Sequence, residues 1–211
     1  MEDRANRPLC RPCEPGDAEA AVPIMKTSGP RAFDYVFSDR RQDQSDDFLR
    51  STFQRPTSEF GFAQHTALIL GGEVIGIGGT RFADQNFGHT MAALRAIASF
   101  YAPLAALRVI RRGLKIEAVL KPPTRGTGVI YNLAVRAGHQ SKGYGELLIA
   151  ELIDQIRARG MTKAALDVSV ENPRAQALYE RLGFEPVALH KGGLTSRFGE
   201  VVDHIYMEKP L

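Results

Sequence analysis

Apolar positions recur along this chain at two spacings. Short alternating or continuous apolar runs mark strands, and apolar positions three and four residues apart mark helices. Leu9 to Pro12 reads as a short first strand. EPGD follows, with Asp17 as the N-cap candidate of an alanine-rich helix that Gly29-Pro30 ends. Pro30 to Phe37 predicts a second short helix. The polar stretch SDRRQDQSDD reads as loop, with Asp46-Asp47 capping a turn around Phe48 and Leu49. Phe60 to Leu70 and Glu73 to Phe82 read as strands joined by a two-residue Gly71-Gly72 turn. Gln85 to Val119 is apolar at helical spacing and broken by Pro103, which predicts two helices. KPPTRGTG then stops the helical pattern. From Val129 the pattern changes to strand (Val129–Val135), helix (Gly143–Arg159), strand (Ala164–Val170), helix (Pro173–Leu182) and two strands (Phe184–Leu189, Val201–Met207). A strand-helix-strand unit implies a parallel pair with a right-handed crossover. The last two strands imply an antiparallel hairpin. The expected class is α/β on one mixed, twisted sheet.

Composition narrows the function classes. The 211 residues suit a single domain, and a hydrophobic fraction of 44% is enough for a real core. The net charge of +3 is too weak to argue for nucleic acid, and the basic residues are not interleaved with aromatics. A mild positive balance suits an anionic ligand. No apolar run reaches the length of a membrane span, and MEDRANRPLC has no apolar signal core. The expectation is a cytoplasmic protein without a membrane partner. Arg108, Arg111, Arg112 and Lys115 read as the solvated basic face of a core-packing helix. Cys10 and Cys13 form a lone C-x-x-C with no second pair and no strand-to-helix context. They read as small hydrophobes beside the first strand. His65, His89, His139 and His190 show no ligand spacing, so no metal is expected.

The stretch HQSKGYGELLIAEL carries candidate chemistry. It sits where a strand hands over to a helix. Helix N-termini expose unpaired backbone N–H groups and partial positive charge, which favour anions. Gly143 and Gly145 remove side chains, so a bulky anion can approach the backbone. Lys142 adds a cation. The spacing is not G-x-x-x-x-G-K-[ST], and no third glycine completes G-x-G-x-x-G. Tyr144, Leu147, Leu148, Leu152 and Ile156 are expected on the inward face of the helix that follows. A second stretch reads LDVSVENPRAQALYERLGF. Asn172 is an N-cap candidate, Pro173 sits at the first helical position and Gly183 ends the helix. Tyr179 lies on that short helix.

These two stretches, in order and at this spacing, resemble the GNAT superfamily of acetyl-CoA-dependent N-acetyltransferases. Gln140-Ser141-Lys142-Gly143-Tyr144-Gly145 is similar to the family's Q/R-x-x-G-x-G/A loop. Asn172-Pro173-Arg174-Ala175 through Leu178-Tyr179 and Leu182-Gly183-Phe184 continues the likeness, and DHIYMEKPL resembles the family's last strand. The likeness covers roughly the C-terminal half. Residues 83–126 depart from it, because the family joins those strands by a short connection, and they read as a helical insertion between two central strands that shapes the acceptor site or an oligomer contact.

The resemblance implies a GNAT-type fold and coenzyme A held by backbone N–H groups of Gln140, Ser141, Lys142, Gly143, Tyr144 and Gly145. It implies that Leu133, Ala134 and Val135 lie against the pantetheine arm and that Asn172 contacts it. It implies direct transfer of acetyl from acetyl-CoA to a primary amine of a small molecule or peptide. Tyr179 occupies the position of the family's general acid. Asp167 stands, relative to Tyr179, where ribosomal-protein N-terminal acetyltransferases carry a catalytic glutamate. Base and strand carboxylate both remain open for it, with Glu171, Glu117 and His204 in reserve. A homodimer, protein N-terminal acetylation and a non-catalytic acyl-CoA sensor complete the expectations.

Overall fold

The computed structural model describes residues 7–38 and 43–211. The N-terminal residues 1–6 and positions 39–42 of the polar stretch read as loop lie outside the described residues. In chain order the elements are β1 (Leu9–Pro12), α1 (Ala18–Lys26), α2 (Pro30–Phe37), α3 (Ser45–Phe53), β2 (His65–Leu70), β3 (Glu73–Arg81), α4 (Asn86–Phe100), α5 (Pro103–Val119) and β4 (Thr127–Val135). Then come α6 (Tyr144–Ala158), β5 (Lys163–Ser169), α7 (Pro173–Arg181), β6 (Glu185–His190), β7 (Leu194–Ser196), β8 (Gly199–Val201) and β9 (His204–Pro210). Seven strands form one sheet in the order β1-β2-β3-β4-β5-β9-β6. Its neighbours are antiparallel except β4 and β5, which run parallel with α6 as the crossover. The α/β class and the mixed sheet expected from the pattern are therefore present.

Each face of the sheet is covered. One core gathers Val22 and Met25 of α1, Phe33 and Phe37 of α2, Phe48 and Phe53 of α3 and Ile97 of α4. The other gathers Leu148, Leu152 and Ile156 of α6, Tyr179 of α7 and Phe184. The Gly71-Gly72 turn has φ of 59° and 84° at its two residues. Positive φ at both central positions is what a tight hairpin turn of this type demands. α4 and α5 connect β3 to β4, with Pro103 at the first position of α5. α5 packs on α2 as well as on α4.

Five local expectations need correction. Ser45–Phe53 is a helix, not a turn, because Phe48, Leu49, Thr52 and Phe53 all bury on one side of it. The strand expected from Phe60 begins only at His65. Before it, Phe62–Gln64 makes a single 3₁₀ turn that interrupts the run, and a side chain at Gly61 would collide with the Arg55 carbonyl. The expected Val201–Met207 strand is split into β8, which pairs with β7, and β9, which pairs with β5 and β6. Asp17 does not cap α1. Its carboxylate instead accepts from the Glu14 N–H at 2.8 Å and pairs with Arg11 at 2.7 Å. On α6, Leu147 is 37% exposed, and the inward face is completed by Ile149 and Ile153.

Cys10 and Cys13 are both free thiols. Burial pushes them up to about 11 and about 12, so they stay protonated and unreactive near neutral pH. Among the described residues no cluster of His, Cys, Asp and Glu could hold a metal ion, and no helix is long and apolar enough to cross a membrane.

Candidate functional site

The site begins with a failure of pairing. β4 and β5 pair only at Thr127↔Lys163, Gly128↔Ala164 and Val129↔Ala165. Beyond that point β4 stays with β3 as far as Val135, and β5 stays with β9 as far as Ser169. The two strands thus diverge, and the facing edges after Val129 and Ala165 do not pair with each other. A cleft of about 670 Å³ fills and extends this gap.

A bulge in β4 accompanies the opening. Tyr131 pairs with Gly79 and Ala134 with Ile77, so two residues, Asn132 and Leu133, stand opposite Gly78. Asn132 takes φ of 52°, a left-handed conformation that asparagine tolerates better than most residues. Its side chain is anchored. His65 Nδ1 lies 2.8 Å from the Gly61 carbonyl, which can only accept, so Nδ1 carries the proton. His65 Nε2 is then free to accept from Asn132 Nδ2 at 3.0 Å. Complete burial pushes His65 down to about 4, which keeps this acceptor neutral.

The loop from β4 to α6 forms one rim of the cleft. Ser141 and Gly143 both have positive φ, 63° and 81°. These turns bring the chain into α6 with Gly143 as N-cap, and no side chain caps the helix. The first N–H groups of α6 therefore remain available to an external anion. A Cβ at Gly143 would meet nothing within 4 Å. The loop is braced from outside. Gln140 Nε2 donates to the Val135 carbonyl at 2.9 Å, and Arg174 Nη2 donates to Ser141 Oγ at 2.6 Å. Arg174 also lines the cleft and sets a guanidinium beside the helix N-terminus.

Of the residues singled out from the sequence, Leu133, Ala134, Val135, Gln140, Ser141, Gly143, Gly145, Asp167, Asn172 and Tyr179 line this one cleft. Lys142 and Tyr144 are not among its lining residues. The Lys142 ammonium donates to the Gly138 carbonyl at 3.1 Å, and the Tyr144 ring lies beside His139. Asn172 spends its side-chain oxygen on the Ala175 N–H at 3.1 Å, as a helix cap. Of the reserves, His204 and Glu117 reach the cleft, whereas Glu171 pairs with Arg31 at 2.8 Å outside it.

Two titratable groups in the cleft are shifted by burial. Tyr179 is only 8% exposed, and burial pushes its hydroxyl up to about 12. Asp167 is pushed up to about 6 by burial, against the opposing pull of His190, whose Nδ1 lies 3.1 Å from Asp167 Oδ1. His190 in turn stacks on Tyr206. The arrangement offers a neutral hydroxyl donor and a carboxylate that changes charge near pH 6, at the end of a groove suited to an anion.

Arg174, Asn132, His65 and His190 were not singled out as site residues from the sequence. Arg174 had a signal, since it lies inside the quoted NPRA stretch. His65 and His190 had none, because each meets its partner only through strand pairing across the sheet.

Comparison with known proteins adds the following. The model of the Acetyltransferase (GNAT) family matches residues 29–184. A mycothiol acetyltransferase of Beutenbergia cavernae is 49% identical over 71 residues, 34% of this chain and 24% of that protein. A [ribosomal protein bS18]-alanine N-acetyltransferase of Haemophilus ducreyi is 39% identical over 62 residues, 29% of this chain and 43% of that protein. The chain thus matches less than half the length of either relative. Among solved structures, an N-acetyltransferase from Staphylococcus aureus Mu50 superposes with a TM-score of 0.70 at 13% identity, covering 95% of this chain and 99% of that one. The Salmonella typhimurium protein yncA, solved with its cofactor acetyl-CoA, superposes with a TM-score of 0.58 at 18% identity, covering 98% of this chain and 95% of that one.

Proposed function

The chain belongs to the Acetyltransferase (GNAT) family, and on that premise we propose that it is an N-acetyltransferase moving acetyl from acetyl-CoA to a primary amine by direct attack. The observation that carries this reading is the gap between β4 and β5, with the Gln140–Gly145 loop at its rim and Tyr179 and Asp167 in its walls. The residues present fit coenzyme A. The uncapped start of α6 and the Arg174 guanidinium suit a pyrophosphate. The free edge of β4 from Leu133 to Val135 suits an amide-bearing arm lying alongside like an added strand. When bound, acetyl-CoA supplies an activated acetyl thioester.

The chain's own residues then have separate tasks. The β4 bulge, pinned by Asn132 and His65, fixes the direction of the backbone N–H groups that would polarise the thioester carbonyl. An alkylammonium acceptor, with an ordinary pKa near 10.4, must lose a proton before it attacks. Asp167, in the cleft wall, would take that proton, directly or through water. Tyr179, in the same cleft, would protonate the departing sulfur. Burial keeps the tyrosine proton in place, and the same dry surroundings raise the basicity of a thiolate that forms beside it. α4 and α5 form one wall of the cleft beyond the reacting atoms, which is the role we give to residues 83–126. The reading includes peptide amines as acceptors because relatives named for a ribosomal-protein alanine are among the matches.

Calorimetry with acetyl-CoA, followed by thiol release over a panel of small amines and N-terminal peptides, tests the reading. Binding together with release is the expected result. Absence of binding would overturn it.

Asp167 gives this reading a pH signature. Below about pH 6 Asp167 is protonated and accepts no proton, so kcat/KM is expected to fall on the acid side with a limb near that value. Asp167→Asn should lower the rate and remove the limb, and an unchanged profile would return Asp167 to a structural role. Stability follows the same group. The folded pKa is raised above the ordinary 3.8, so the Asp167 contribution is full below about pH 4 and is lost as pH rises through about 6. The Asn variant should lack that slope in a thermal-melt series.

A further inference from the structure

The part of the cleft lined by α2, α4 and α5 is mainly apolar, with Thr90 and Glu117 as the polar residues those helices contribute. Phe33 and Phe60 meet there edge to face at 5.9 Å, and Leu94, Ile110 and Leu114 line the same part. Leu114 stands at the mouth, 63% exposed. A concave surface lined mainly by hydrophobic and aromatic side chains is the usual setting for an apolar ligand group.

The charged groups at this end are matched in number and partly spent. Glu59 is held by Arg81 at 3.1 Å with both side chains about four-fifths buried. The Tyr131 hydroxyl donates to the Glu59 backbone carbonyl. Its ring is covered on one side by the Arg81 guanidinium, at 5.7 Å. Glu117 and Lys121 remain near the mouth as one charge of each sign. Two carboxylates thus face two cations, so this end has no net negative charge with which to hold a second ammonium group. A polyamine or an aminosugar with several ammonium groups would bury charge without partners, which is costly. A monoamine would bury none besides the one it loses on reaction.

Resting on the transferase reading above, we infer that the acceptor is a primary monoamine carrying an apolar aliphatic or aromatic group, which lies between Phe33, Phe60, Leu94, Ile110 and Leu114. The amine nitrogen itself stays at the gap between β4 and β5, beside Asp167 and Tyr179, while its apolar group reaches toward α4 and α5.

The test is a matched series of acceptors on the wild-type protein, read as kcat/KM from thiol release. From propylamine to hexylamine kcat/KM should rise about fourfold per methylene. Pentylamine should exceed 1,5-diaminopentane, which differs from it by one terminal ammonium, by about tenfold or more. 2-Phenylethylamine should be among the best acceptors. Leu114→Glu changes an exposed position and should fold normally. It should reduce the pentylamine-to-diamine ratio several-fold by placing a carboxylate at the mouth. A flat alkyl series, a preference for the diamine, or an unchanged ratio in the variant would each overturn the inference while leaving transfer itself intact. Binding of acetyl-CoA with no thiol release to any amine would instead overturn the transferase reading.

Discussion

Tyr179→Phe is expected to lower kcat by about 10²–10⁴-fold, the usual worth of a positioned general acid, while the affinity for acetyl-CoA changes little. The substitution is clean for a structural reason. The ring is buried against Phe184, 6.1 Å centroid to centroid, and that packing survives in phenylalanine. The Tyr179 hydroxyl hydrogen-bonds to no other described residue, so no native bond is broken. Removing a hydroxyl that faces a cleft from a buried ring should leave the melting temperature equal or slightly higher. A merely structural tyrosine would therefore show no loss at all. Thiol release in single-turnover and steady-state modes, beside calorimetry of cofactor binding, separates the cases. A variant of normal kcat would remove Tyr179 from the chemistry.

The strands and helices that position this site were legible where the signal is local. Asn172-Pro173 starts α7 by a cap and a preset φ, and Gly183 follows its end with φ of 84°. The Gly-rich loop announced the start of α6 for the same reason, since only backbone flexibility and helix-end chemistry were involved. Pro103 marked the boundary between α4 and α5. The helix α3 was underread because its first turn is acidic and polar, and its apolar residues cluster within Phe48–Phe53. The β7–β8 hairpin was missed because three-residue strands carry too few positions to show a period.

The chemical pairs were less legible than the elements. Asp167 was visible as a strand carboxylate, but its partner His190 sits 23 positions later on a strand that reaches it only through β9. The Asn132–His65 contact spans 67 positions and depends on a bulge whose register no local pattern encodes. Long-range register decides both, and register is fixed by how whole strands bury one face. The acceptor end was illegible for a related reason. Phe33, Phe60, Leu94 and Leu114 come from four separate segments, and each alone reads as ordinary core. The cation beside the loop was only half legible: the Lys142 ammonium donates to the Gly138 carbonyl, and Arg174, from the next helix, is the cation that lines the cleft.

Gly143→Glu should raise the dissociation constant for acetyl-CoA by about 100-fold or more, for three separable physical reasons. The residue has φ of 81°, which a side-chain-bearing residue adopts at a cost of about 1–2 kcal/mol. A Cβ there projects into open space at the start of α6, the space that a bound anion would use. A carboxylate in that position satisfies the helix N-terminus itself and repels an incoming pyrophosphate. Losing a favourable helix-end contact of up to about 2 kcal/mol and adding repulsion of similar size gives about two decades or more in affinity. Gly143→Ala carries the backbone strain without the charge. It should lower the melting temperature by a few degrees and weaken binding far less than glutamate does. Calorimetry of both variants beside their melting curves distinguishes strain from electrostatic exclusion. If alanine and glutamate weaken binding equally, the loop only turns the chain and the anion lies elsewhere. If glutamate alone abolishes binding, and rising salt partly restores it, the start of α6 is where the phosphates sit.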